Sequence, residues 1–98
     1  MPADLDMIIL NDVFALIHDV IRDVLKSRAY SIVITTAESD EEVIVSVGFK
    51  KTSLRKDVIE NVLKVMKERP EWDFYVDGVD GCVVMKFMRS YKKEDYKS

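Results

Sequence analysis

Twice along this 98-residue chain a stretch of helical period is followed by two stretches of strand period. That order, α-β-β-α-β-β, leaves few folds open. The first helical stretch runs from Leu5 to Arg28, with Asp4 or Asp6 placed to cap it and to face the positive end of its dipole. Its polar side carries Asp12, Asp19, Arg22, Asp23 and Lys26, with Asp19–Arg22 and Asp23–Lys26 spaced as i,i+3 pairs. Tyr30 to Thr36 then alternates and is rich in β-branched residues, so a strand is expected with Tyr30, Ile32 and Ile34 on one face. After the polar turn Glu38–Glu41, a second strand should turn Val43, Val45, Val47 and Phe49 inward.

The second unit repeats the plan. Thr52 or Ser53 is placed to cap a helix that Pro70 stops after Arg69. Seven of the sixteen residues from Leu54 to Arg69 are apolar, the share expected of a helix with one buried face and one wet face. Trp72, Phe74 and Val76 share a face of a third strand, Asp77–Gly81 is a hairpin turn, and Cys82 to Arg89 is a fourth strand with Val83, Met85 and Phe87 inward. The expected fold is α+β in two layers: a four-stranded antiparallel sheet with both helices on one face, forming one domain over residues 1–91. Residues 92–98 read as a charged, frayed tail. The other sheet face would carry Val33, Ile44, Tyr75, Val84, Lys86 and Met88, too apolar for a fully wet surface and too mixed for a core. The octapeptide Asp19–Lys26 matches Asp57–Lys64 at six of eight positions. A duplicated αββ unit would produce this, and so would convergence of two amphipathic helices.

The first helix is richer than one core requires. Fourteen of its 24 residues are apolar, where three in seven would give about ten. Wound at 100° per residue they fill an arc of roughly 200°, against about 100° for a usual core-facing stripe. Two seams lie within it. One is Ile9, Val13, Leu16 and Val20; the other is Met7, Leu10, Phe14, Ile17, Ile21 and Val24, whose alternating steps of three and four suit helix-to-helix packing. About four surplus side chains at roughly 1.5–3 kcal/mol each amount to some 6–12 kcal/mol if buried, an upper bound comparable to the stability of a small domain. The expectation is a homodimer with Met7, Leu10, Phe14, Ile17 and Ile21 at its interface.

Composition narrows the functional classes. The fraction of apolar and charged residues is that of a folded chain, and one domain of this length buries a core without staples. The single cysteine, Cys82, fits a reducing cytoplasm. Asp4, Asp6 and Asp12 stand where a signal peptide would be basic and then apolar, and no apolar run exceeds five residues, so neither secretion nor a membrane span is expected. Glutamine is absent and asparagine occurs only at positions 11 and 61, a composition that leans towards heat adaptation. The net charge of −3 divides unevenly: residues 1–49 carry −6 and residues 50–98 carry +3. Overall acidity disfavours non-specific nucleic-acid binding, which counterion release drives.

Little in the sequence points to chemistry. His18 is the only histidine, without a second His or Cys at metal-ligand spacing. Cys82 has no neighbouring base to activate it, and Asp77–Asp80 lacks the spacing of a calcium loop. Neither a phosphate-cradling glycine loop nor a paired-carboxylate signature is present, so no catalytic, cofactor or metal residue is expected. The one specific charge grouping is Lys50, Lys51, Arg55 and Lys56, at the junction of the second strand with the second helix. Cations there oppose the helix dipole but suit an anion. The first expectation is therefore a non-enzymatic dimeric adaptor or regulator with a protein partner of unknown identity. The alternative is a nucleic-acid-binding module that uses this basic junction together with Tyr75 and Lys86 on the open sheet face.

Overall fold

The protein was described from a computed structural model covering residues 4–25, 30–51, 56–79 and 82–96. Helix α1 spans Leu5–Val20 and continues as a π-helical turn over Ile21–Leu25. Strands β1 (Ser31–Glu38) and β2 (Glu42–Lys51) form a hairpin, helix α2 covers Lys56–Glu68, and β3 (Asp73–Val79) and β4 (Cys82–Lys92) form the second hairpin. A 3-10 turn over Lys93–Tyr96 follows. The sheet is antiparallel throughout, in the order β1-β2-β4-β3, so the second strand of each hairpin lies at the centre. The α+β class and four-stranded sheet expected from the sequence are those observed. Asp4 is the α1 N-cap, its carboxylate accepting from the Asp6 N–H at 3.0 Å. The residues proposed to cap α2 lie outside the described ones.

One core joins one sheet face to both helices. Ile9, Val13, Leu16 and Val20 of α1 meet Val58, Val62 and Val65 of α2 over Val43, Val45, Val47, Phe49, Met85 and Phe87. The inward alternation of β2 and β4 is that read from the sequence. Phe87 anchors the aromatic part of the core, with Phe49 edge-on at 5.9 Å and Phe74 at 5.2 Å.

Four local features differ from the sequence reading. Val24, assigned to the second seam of α1 though not to the expected interface, is buried, as is Leu25. The π-helical winding of Ile21–Leu25 takes the chain out of the 100° register on which that assignment rested. On α2 the buried stripe is only Val58, Val62 and Val65, while Ile59 and Leu63 are exposed, because no described residue covers the flank of the helix turned away from α1. Beyond residue 91 the chain stays structured through Tyr96: β4 runs to Lys92, Lys93 donates its backbone N–H to the Glu41 carbonyl, and Tyr96 packs 6.0 Å from the ring of buried Tyr91. Gly78, placed in the turn by the sequence, instead pairs with Val83 inside β3.

The two αββ units are spaced unlike the helical match. Val20, Val24, Val58 and Val62 are all buried, yet Leu25 is buried where Leu63 is exposed. The matched octapeptides lie 38 residues apart, whereas β3 begins 42 residues after β1 and β4 begins 40 after β2.

Candidate interaction surface

The two sides of α1 meet different surroundings. Asp12, Ala15, Asp19 and Arg22 recur at steps of three and four and form one flank. This flank is tied to the second half of the chain. Asp12 accepts hydrogen bonds from the Arg89 guanidinium at 3.0 Å and from the Tyr91 hydroxyl at 2.9 Å, and Arg89 also lies over the Tyr91 ring at 4.4 Å. Burial, and then the bond to Asp12, push the Tyr91 hydroxyl well above its ordinary pKa. Asp19 accepts two hydrogen bonds from Arg69, just beyond α2, and Arg69 reaches the Ala15 carbonyl as well. The Arg69 guanidinium holds the Asp19 carboxyl below its ordinary pKa, outweighing the opposing effect of burial. Arg22 adds the expected i,i+3 contact to Asp19 at 3.4 Å, though its tighter bonds go to the neighbouring Asp23.

Because that flank faces α2 and β4, the opposite flank faces away from them. It carries Met7 at 52% exposure, Leu10 at 43% and Phe14 at 58%, while Ile17 and Ile21 are half-buried. Thus the sequence-derived interface residues do lie together on one open strip of the protomer. Ile34, on the helix side of β1, is also exposed, at 47%. Three large side chains half-exposed at helical spacing are more than the scattered apolar residues normal on a monomer surface.

The outer sheet face is a second candidate. Its lateral rows follow from the register: Ser31–Lys50–Val84–Asp77, Val33–Gly48–Lys86–Tyr75 and Thr35–Ser46–Met88–Asp73. Small residues at 46 and 48 leave a shallow hollow of about 280 Å³, floored by Val33, Gly48 and Val84 and flanked by Lys50 and Lys86. Lys86 is already paired with Asp77 at 3.2 Å.

The basic junction is described only in part. Strand alternation sends Lys50 to the outer face and Lys51 to the helix side, Lys56 opens α2, and Arg55 lies outside the described residues. His18 is exposed on α1, its Nδ1 3.5 Å from Asp19. Cys82 is half-buried at the start of β4. Among the described residues no three His, Cys, Asp or Glu side chains gather to hold a metal ion. No helix among them is long and apolar enough to cross a membrane.

Asp12, Arg69, Arg89 and Tyr91 were not singled out as partners by the sequence, because the bonds joining them span 50 to 79 residues. The chain is thus a two-layer α+β domain whose most distinctive surface is apolar. Comparisons with protein-family models, curated proteins and solved structures find no match.

Proposed function

We propose that the protein is a small cytoplasmic, non-enzymatic interaction module that works as a homodimer paired through α1, acting as an adaptor or regulator. The observation that carries this reading is the exposed strip Met7, Leu10 and Phe14, continued by Ile17 and Ile21. Removing apolar surface from water stabilises by about 25 cal/mol per Å², so a strip of this kind favours association. A second copy presents the same strip in complementary orientation, as a two-fold interface requires. Light scattering tests it. The wild type should have twice the 11.3 kDa chain mass, and Phe14→Asp and Ile17→Asp should each give a folded monomer. A monomeric wild type would refute it.

A second reading, nucleic-acid binding, draws on Lys50 and Lys86 beside exposed Tyr75 on the open sheet face. Aromatic and basic side chains on such a face stack bases and hold backbone. The Asp73 and Asp77 carboxylates on that face weaken it. Fluorescence anisotropy with short DNA and RNA at two salt concentrations separates the readings, since only phosphate contacts make binding fall steeply with salt.

A further inference from the structure

We infer that the second copy joins at the free edge of β1, so that two four-stranded sheets become one of eight strands with both α1 helices on the same face. This inference rests on the homodimer reading and adds the surface that completes it.

The first observation is that β1 is an unguarded edge. Ser31–Glu38 reads Ser-Ile-Val-Ile-Thr-Thr-Ala-Glu, eight residues without proline, glycine or lysine and with one charge at its end. Edge strands of proteins that remain single are usually blunted by such residues or by a bulge. The register with β2 is unbroken over all eight residues, and Val33 and Ile34 are exposed on its two faces.

The second observation fixes which backbone groups are free. The Ser39 N–H donates to the Glu42 carbonyl at 2.9 Å, and these residues extend the β1–β2 register. Bonded pairs in an antiparallel ladder recur every second residue, so Ala37, Thr35, Val33 and Ser31 direct their backbone groups to β2. Ile32, Ile34, Thr36 and Glu38 direct theirs outwards. A two-fold axis near Ile34 pairs these residues with their own counterparts and satisfies both strands.

The third observation is one of fit. β1 is the sheet edge on the far side of β2 from β4, and the apolar strip lies on the flank of α1 opposite its bonds to β4. Its three half-exposed side chains and two half-buried ones offer on the order of 300–400 Å², from about 150–250 Å² for a whole large side chain, which is short of the roughly 800 Å² per partner of a standard interface. Edge pairing supplies the missing area.

Amide hydrogen exchange read residue by residue tests the inference, with light scattering on Phe14→Asp and Thr36→Pro. Thr36→Pro removes an outward N–H that β2 does not use, a position where edge strands accept proline. The expected result is slow exchange at Ile34 and Thr36 in a dimeric wild type, loss of that protection in monomeric Phe14→Asp, and a folded monomer for Thr36→Pro. A dimer whose Ile34 and Thr36 amides exchange as freely as in the Phe14→Asp monomer overturns edge pairing and leaves the helix reading standing. A Phe14→Asp dimer that keeps the protection, with monomeric Thr36→Pro, leaves the edge standing and removes the helix. A monomeric wild type overturns both. Should Thr36→Pro not fold, the wild-type amides decide alone.

Discussion

Cutting the tie between Arg69 and Asp19 should loosen the join between the two helices by an amount that its burial sets. Arg69 Nε donates to Asp19 Oδ2 at 2.9 Å, Nη2 donates to the same oxygen, and the two side chains are only 22% and 15% exposed. A fully exposed pair would be worth under about 1 kcal/mol, and breaking a fully buried one would cost about 3–5 kcal/mol. This pair lies between, so Asp19→Asn and Arg69→Met should each cost about 1.5–3 kcal/mol, the range for hydrogen bonds to charged groups. For a domain of this size that lowers Tm by roughly 10 °C, at about 4–8 °C per kcal/mol. Denaturant or thermal unfolding of the two single variants and the double variant closes a double-mutant cycle. Protomer concentration is held fixed, because association shifts apparent stability. The acid limb supplies an independent check. In the folded chain Arg69 holds the Asp19 carboxyl below its ordinary 3.8, so the unfolded chain binds that proton more readily. The contribution is complete above the ordinary value and is lost as pH falls through it towards the lowered one, so Asp19→Asn should flatten the acid limb. Glu42, lowered by Ser90 and Lys92, also contributes to the acid limb but is unchanged between the two proteins. A coupling below about 0.5 kcal/mol, the scatter of independent sites, together with identical acid limbs, would refute the reasoning.

Three further outcomes follow from the packing. Leu16, fully buried between the helices and the sheet, should cost about 3–5 kcal/mol when cut to alanine, read as a lower denaturant midpoint at unchanged slope. Trp72 is 2% exposed and its Nε1–H has no hydrogen-bond partner among the described residues, so Trp72→Phe should cost under about 1.5 kcal/mol, well short of the 3–5 kcal/mol typical of Trp→Ala, because it removes an unpaired donor along with packing. A Cβ on Gly48 would meet Val84 Cγ1 at 3.5 Å and the Val33 carbonyl at 3.7 Å, both ordinary contacts, so Gly48→Ala should raise stability by about 0.5–1 kcal/mol and partly fill the outer hollow.

What was legible in the sequence was what local period carries. The inward faces of β2 and β4 and the buried seam Ile9–Val20 follow from alternation and from the 100° turn, and Asp4 is a cap by residue type. The exposed strip on α1 was legible as a surplus, because fourteen apolar residues exceed one stripe whatever the partner. Illegible features arise where distant parts meet or where local geometry departs from the ideal. The central pairing of β2 with β4, and the bonds from Asp12 and Asp19 to Arg89, Tyr91 and Arg69, join residues at least 32 apart. The π-helical turn that buries Val24 leaves no mark in a hydrophobic pattern counted at fixed period. The basic grouping was legible only as a cluster in sequence: Lys50 and Lys51 leave opposite faces of β2, and Arg55 lies outside the described residues.

The two edges of the sheet differ in chemistry, and that difference decides whether association closes. The β3 edge also has apolar surroundings, with Val76 half-exposed on the strand and Ile59 and Leu63 on α2. Yet β3 carries Asp73 and Asp77, and self-pairing centred on Tyr75 would set each Asp73 opposite an Asp77 of the other copy. Like charges directly opposite are destabilising, so β3 discourages its own duplication where β1, with one terminal charge, does not. Pairing β1 with β3 of another copy would be head-to-tail and would leave a free edge at each end, the arrangement that grows into fibres. It would also bring Asp73 and Asp77 against the apolar and hydroxyl side chains of β1, and desolvated carboxylates without a new partner are costly. Only β1 against β1 consumes the unguarded edge in both copies at once and leaves charged edges outermost. In the proposed dimer the acidic residues of β3 would thus hold assembly at two copies, with the surplus on α1 and the bare edge of β1 both spent on that association.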